Sequence, residues 1–398
     1  MENNNNKSNK YFQNFLKELT EDLLDNKSYK DFINDNLNIT PETLSSYLKD
    51  YVVGQDESID ILSRKVATHY KRLRYEILNN EASLDCSKNN ILLIGKSGVG
   101  KTYMIKRLCN KLGLPYVIKD CTKYSETSFK GEDIENVIRE LHEASNYNLP
   151  LTELGVVFLD EFDKLAVEGD PNYSTGLGVQ KSLLKIIEDS EVNYVDETVM
   201  KIQRGNPDAP KYKNVKIKTK NILFIFSGAF EKLTRRNKNN KVPIGFGNQL
   251  IPTDNITKTI SVDEFVNYGI IRELIGRIPI MIYLSDLNEE SLYKILENNN
   301  SPYLKLKKRE FISYGIELTF TTEALQLIAN KAAALGTGAR SLNRIIEEIL
   351  FPIEKCLDLI NSSKITITRN YLEEPDLALS KLIDNDLYTS TIKDNTHH

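Results

Sequence analysis

Two short runs carry residues that could do chemistry. Gly95-Lys96-Ser97-Gly98-Val99-Gly100-Lys101-Thr102 satisfies the pattern GxxxxGK[ST] in full. It follows an apolar run, Asn90–Ile94, and precedes the helical apolar spacing of Thr102–Leu112. Strand, glycine loop and helix in that order are what the pattern needs in order to bind phosphate. Glycines let backbone N–H groups turn inward around phosphate oxygens, and the helix N-terminus adds the positive end of its dipole. Lys101 is placed to reach the β- and γ-phosphates and Thr102 to ligate Mg²⁺, with Tyr103 next in the same nucleotide-binding run. The second run is Val156-Val157-Phe158-Leu159-Asp160-Glu161, an apolar strand ending in adjacent carboxylates. Asp160 can hold the metal ion, directly or through water. Glu161 can orient and deprotonate the attacking water. Binding needs only Asp160, so Glu161 argues for hydrolysis.

The elements around these runs define an α/β chain. Asn90–Ile94, Val156–Leu159 and Ile222–Ser227 are continuous apolar runs, as expected of buried parallel strands. Helical spacing between them predicts a parallel sheet flanked by helices. The chain is long enough, at 398 residues, for two or three domains. Residues 1–45 read as an N-terminal segment, its first ten residues polar and disordered and residues 11–36 helical. Thr40 and Pro41 resemble the N-cap and first position of a further helix. Residues 46–284 form the large domain and residues 285–370 a small α+β domain. Within the latter, Leu292–Leu296, Ala324–Leu335 and Leu342–Ile360 are helical, while Ile316–Phe320 and Lys364–Thr368 alternate like strands. Residues 167–178 and 235–260 read as loops, and 371–398 as a polar tail.

Composition excludes several classes. Lys and Arg number 52 against 56 Asp and Glu, for a net charge of −4; nucleic acid is therefore not an expected partner, since nothing here suggests a basic coat. The cysteines, Cys86, Cys109, Cys121 and Cys356, have no CxxC spacing, which argues against a cysteine zinc site and for reduced thiols. No run of 18 apolar residues offers a membrane span, and the first residues lack the apolar core of a signal peptide. The expectation is a cytoplasmic protein.

Several longer segments resemble the ClpX family of hexameric AAA+ unfoldases, which feed the ClpP peptidase. They are Tyr51-Val52-Val53-Gly54-Gln55, His69–Arg74, the phosphate loop, Gly131–Asn136, Leu159–Leu165, Gly178-Val179-Gln180 with Leu183–Lys185, Ile244–Gly247, Ile275-Gly276-Arg277 and Thr337-Gly338-Ala339-Arg340. Together they cover roughly residues 48–350. The resemblance implies an AAA+ P-loop NTPase domain with a small C-terminal lid domain, assembled as a homohexameric ring that uses ATP and Mg²⁺. It implies that Val52 and Val53 pack the adenine where the two domains meet. Arg277 would be the arginine finger donated to the neighbouring subunit, and Arg340 the second sensor. Ser227 is the candidate first sensor, though it could equally cap the segment that follows.

The resemblance also assigns two loops. Phe129-Lys130-Gly131 corresponds to the pore loop that grips unfolded or tagged protein substrates; an aromatic can wedge against any polypeptide. Here Phe stands for the family's Tyr and Lys130 for an aliphatic, so six ammoniums could ring the channel. Ile244-Gly245-Phe246 corresponds to the loop that docks on a ClpP-like peptidase. Two family features have no match: the cysteine zinc domain ahead of the ATPase, and the Arg-Lys-His entrance loop, in whose place residues 198–218 carry scattered Lys and Arg. No Ser/His/Asp set suggests intrinsic proteolysis. A stand-alone remodelling chaperone and, further off, a nucleic-acid-associated ATPase are the alternatives.

Overall fold

The computed structural model describes residues 26–79, 88–127, 132–167, 175–195, 214–234, 260–298, 300–357, 360, 362–375 and 380. Nine strands occur among them: β1 Ile91–Ile94, β2 Tyr116–Asp120, β3 Val156–Asp160, β4 Glu191–Val195, β5 Asn214–Lys218, β6 Leu223–Gly228, β7 Ile280–Tyr283, β8 Glu317–Phe320 and β9 Lys364–Ile367. The chain divides into two compact units. One gathers Met1–Ser45, Asp60–Ile94 and Ile105–Tyr283; the other gathers Ser46–Ile59, Gly95–Met104 and Leu284–His398.

The first unit is built on a five-stranded sheet in the order β2-β3-β6-β1-β7, parallel at every pairing. Every residue of β1 and β6 is buried, which is why β1 is apolar throughout and β6 is apolar from Leu223 to Phe226 rather than alternating. Phe158, Phe162, Phe224, Phe226, Phe230 and Phe265 are fully buried. The rings of four of them meet at tilted or edge-on angles, with Phe162 and Phe226 centroids 4.9 Å apart and Phe230 and Phe265 5.2 Å apart. The helix Asn26–Asn36 belongs to this unit, with Ile33 and Leu37 fully buried around its end and Arg74 donating to Asn34 Oδ1 at 2.5 Å. In the following helix, Pro41–Lys49, Thr40 Oγ1 accepts from Thr43 N at 3.2 Å, so the Thr-Pro start reads as the sequence suggests.

The second unit packs helices Glu289–Glu297, Pro302–Ser313, Thr322–Leu335 and Arg340–Glu354 with the two-stranded parallel pair β8–β9. Its core includes Leu292, Leu296, Phe311, Ile328, Leu342, Ile346, Leu350, Ile353, Ile365 and Ile367. Lys307 is nearly buried and bridges Glu310, Glu347 and Glu354 at 3.0, 2.8 and 3.0 Å.

Several boundaries differ from the sequence reading, each for a physical reason. The first strand begins at Ile91, because Asn90 uses its side chain rather than the ladder to hold its neighbour. Thr175–Ile187 is one helix, so the expected loop 167–178 ends earlier. Gly176 lies in that helix because a Cβ there would meet Leu165 O at 2.7 Å; it permits close approach rather than a turn. The helix expected through Ile360 stops at Glu354, although Leu357 and Ile360 still pack on the core. Strand β2, the β4–β5 hairpin and the helix Pro302–Ser313 were not expected at all. Residues 1–25, and with them most of the helical segment expected over 11–36, lie outside the described residues, as do Phe129-Lys130-Gly131, 198–213, Ile244-Gly245-Phe246, the rest of 235–259 and nearly all of 376–398.

Candidate nucleotide site

The phosphate loop leaves the carboxyl end of β1 and runs into the helix Lys101–Leu112. Gly98 and Gly100 sit at φ +81° and +100°, in the left-handed region that turns backbone N–H groups inward. Lys101 is buried, and its ammonium donates to Gly95 O at 2.5 Å and Lys96 O at 2.8 Å. Two of the ammonium's hydrogens are thus held by carbonyls of the loop's own rim, where phosphate oxygens are the better acceptors.

The turn Thr337–Arg340 lies directly on this loop. Ala339 N donates to Gly98 O at 2.9 Å, and Arg340 Nη1 donates to Ser97 Oγ at 2.6 Å. Gly98 is in such close contact with the turn that a Cβ would come within 2.3 Å of Thr337 O. Lys96 pairs with Asp286 at 2.7 Å in solvent. Val52 is buried and Val53 half-buried, with Val52 Cγ1 3.9 Å from where a Cβ on Gly100 would stand. Gln55 fixes this segment: its amide donates to Ser285 O at 2.8 Å and accepts from Ser285 N at 2.9 Å. Tyr103 is half-buried. Close to it, the Tyr303 phenol is pushed above its ordinary pKa, first by burial and then by Tyr103.

The carboxylates stand at the end of β3. The parallel register aligns Asp120 with Asp160, and Leu159 with Phe226, which brings Ser227 level with Asp160. Ser227 is fully buried and donates its hydroxyl to Asp160 Oδ1. The same oxygen accepts from Glu161 N at 3.0 Å. Ser227 therefore holds the carboxylate. Glu161 adopts left-handed backbone, φ +55°, which lifts its side chain out of the strand line into an exposed position. Its carboxyl pKa is raised, first by partial desolvation and then by the negative charges of Asp120 and Asp160. A raised pKa makes a carboxylate a stronger base for a water proton.

Arg277 ends the short helix Arg272–Gly276 and is half-exposed. Its Nη2 pairs with Glu188 Oε1 at 2.9 Å, and its carbonyl accepts from Asn90 Nδ2 at 2.8 Å.

Sequence reasoning gave no role to four residues that shape the first unit around Asp160 and Arg277. Asp163 is buried and accepts from Phe230 N at 3.2 Å, where Phe230 has φ +47°. Gln180 is fully buried; it donates to Leu165 O and Gly269 O and accepts from Ile271 N. It thereby ties the chain after Glu161 to the segment leading to Arg277. Asp163 and Gln180 stand inside quoted motifs, which was a signal. Asn90 and Glu188 gave none. Among the described residues, no group of three or more His, Cys, Asp and Glu could hold a metal by itself, and no helix is long and apolar enough to cross a membrane.

Residues 87–281 match the model of the AAA domain (Cdc48 subfamily), and residues 287–353 match the C-terminal, D2-small domain of ClpB protein. Relatives carry the name ATP-dependent Clp protease ATP-binding subunit ClpX. That of Treponema denticola is 36% identical over 324 residues, 78% of this chain and 75% of the relative. That of Borrelia duttonii is 35% identical over 321 residues, 78% and 73% respectively. That of Bacteroides fragilis is 32% identical over 352 residues, 85% and 83% respectively. A complete phosphate loop, an Asp-Glu pair at the end of a core strand and an arginine turn seated on the loop thus coincide with likeness along most of the chain, which belongs to the ClpX family of AAA+ ATPases.

Proposed function

We propose that this chain is the motor of a ring hexamer that unfolds protein substrates and delivers them to a ClpP-like peptidase in the cytoplasm. Family membership supplies the ATPase activity, and no peptidase activity of its own is expected. The observation that carries the reading is the Asp160–Ser227–Glu161 arrangement: one carboxylate held by two donors, the next lifted free with a raised pKa. That division of labour suits hydrolysis rather than storage of nucleotide.

In this reading Lys101 and the loop N–H groups bind the β- and γ-phosphates, Val52, Val53 and Tyr103 contact the nucleoside, and Glu161 takes the proton of the attacking water. Thr102 and Asp160 offer the hard oxygens that Mg²⁺ prefers. Bound there, the ion would neutralise charge on the phosphate oxygens. Arg340 reads the phosphates from the turn on the loop, and Arg277 acts on the neighbouring subunit's nucleotide. Phe129, Lys130 and Gly131 grip the substrate; Ile244, Gly245 and Phe246 dock on the peptidase.

The test is steady-state ATP hydrolysis by wild type, Glu161→Gln and Arg277→Ala, followed by unfolding of a tagged substrate with and without a ClpP-like ring. Glu161→Gln should bind nucleotide yet lose about 10²-fold or more in turnover. Phe129→Ala should spare hydrolysis and abolish unfolding, and Phe246→Ala should lose only the ring. Unfolding without any ring binding would instead favour the stand-alone remodeller. Nucleotide binding without turnover in wild type would defeat the proposal.

A further inference from the structure

Arg277 is held at both ends. Its carbonyl is gripped by Asn90, itself 1% exposed, and its guanidinium by Glu188. Glu188 is in turn mounted on a fixed base just beyond the helix Thr175–Ile187. Its N–H donates to Leu184 O at 3.1 Å, and its carbonyl accepts from the buried Thr219 Oγ1 at 3.0 Å. Lys88 closes the frame, donating to Thr219 O at 2.7 Å and pairing with Asp189 at 3.6 Å. So the three-residue segment 88–90 steadies the backbones of both the arginine and its carboxylate partner.

We propose that Glu188 is the positioning residue for Arg277, orienting its guanidinium for the nucleotide of the adjacent subunit. The inference rests on reading Arg277 as a trans-acting finger. A guanidinium has five N–H donors in a rigid fork. Glu188 engages Nη2, which leaves donors on the other nitrogens for phosphate oxygens. Without that tether a long, half-exposed side chain samples many rotamers, and a finger misplaced by about 1 Å can cost on the order of 10²-fold in rate. Both side chains are about half exposed, at 57% and 42%. An ion pair of that exposure adds little to stability, so its removal should register in turnover and not in folding.

The experiment compares Glu188→Ala, Glu188→Gln and Arg277→Ala in steady-state hydrolysis and in mixed rings. Glu188→Ala should lower kcat about 10- to 100-fold with KM for ATP and the melting temperature unchanged. Glu188→Gln, which keeps an acceptor oxygen, should fall between wild type and Ala. In an Arg277→Ala background, Glu188→Ala should have no further effect, because it acts only through that arginine. Mixing Glu188→Ala subunits with Glu161→Gln subunits should restore hydrolysis, since the latter lend correctly held fingers to intact sites. Wild-type kcat in Glu188→Ala overturns the proposal. So does failure of that mixture to recover while Arg277→Ala with Glu161→Gln does. If neither mixture recovers, the trans reading of Arg277 itself is wrong and the proposal falls with it.

Discussion

Gly98 offers a stringent test of how the phosphate loop is held by the turn Thr337–Arg340. At φ +81° a non-glycine residue pays about 1–2 kcal/mol for left-handed backbone. A Cβ would also lie 2.3 Å from Thr337 O, a distance that cannot be tolerated, and both atoms sit on backbone with no flexible side chain to swing away. The turn must retreat. Retreat breaks the Ala339 N to Gly98 O hydrogen bond, worth about 1 kcal/mol net, and strips Arg340 from Ser97. The total for Gly98→Ala is about 2–4 kcal/mol. Gly336 provides the control: it has φ +66° but nothing within 4 Å of a Cβ, so Gly336→Ala should cost only the backbone term, about 1–2 kcal/mol. Gly338→Ala should resemble Gly98→Ala, because its Cβ would meet Gly98 O at 2.8 Å. The assay is urea unfolding without nucleotide, so that phosphate binding does not contribute. Equal losses in Gly98→Ala and Gly336→Ala would refute the claim that the turn is seated on the loop.

Two further predictions concern buried charge. His69 is buried, donates from Nε2 to Asn221 O at 3.3 Å, and has a pKa lowered to about 4 by burial first and by Arg72 next. Its folded pKa is below its unfolded value, so the unfolded chain takes up the proton first; the associated stability is present above about pH 6.5 and is lost as pH falls towards 4, about 2–3 kcal/mol by pH 4.5. His69→Gln should flatten that part of the profile in urea unfolding at pH 7.5 and 4.5, and an identical wild-type-to-variant difference at both pH values would contradict it. Lys307 keeps its charge because hydrogen bonds to Glu347, Glu310 and Glu354 outweigh the burial that opposes it. Lys307→Met should cost about 1–3 kcal/mol by leaving three carboxylates facing one another, less than for a fully buried pair because they are partly exposed. High salt should recover part of the loss by screening their repulsion, and a salt-independent loss would point to packing instead.

The parts legible in the sequence were those whose chemistry demands contiguous residues. A phosphate loop must place its glycines, lysine and hydroxyl within eight positions, so Gly95–Thr102 announces itself. β1, β3 and β6 were legible because strands buried on both faces have to be apolar throughout. β2 was missed because it reads Tyr-Val-Ile-Lys-Asp, with only Val117 buried. It pairs with β3 alone, at the edge of the sheet, where polar side chains are tolerated. The hairpin strand β5, Asn-Val-Lys-Ile-Lys, does alternate, but its lysines drew attention as charge rather than as the solvent face of a period-two pattern.

Within the site, what stayed hidden is the set of residues that work through partners far along the chain. Arg277 could be named from a local motif, whereas Asn90 and Glu188, which hold its two ends, sit 187 positions away in one case and just beyond the end of another helix in the other. Neither residue type in its own neighbourhood distinguishes a clamp from a solvated surface group. The same holds for Ser227: its position after a strand left capping and sensing equally open, and only the register that sets it level with Asp160 shows the hydroxyl donating to that carboxylate. A serine in that bond competes with any cation for Asp160 Oδ1. Ser227→Ala should therefore alter the dependence of hydrolysis on Mg²⁺ concentration as well as the rate, a change that a serine acting only on the attacking water would not produce.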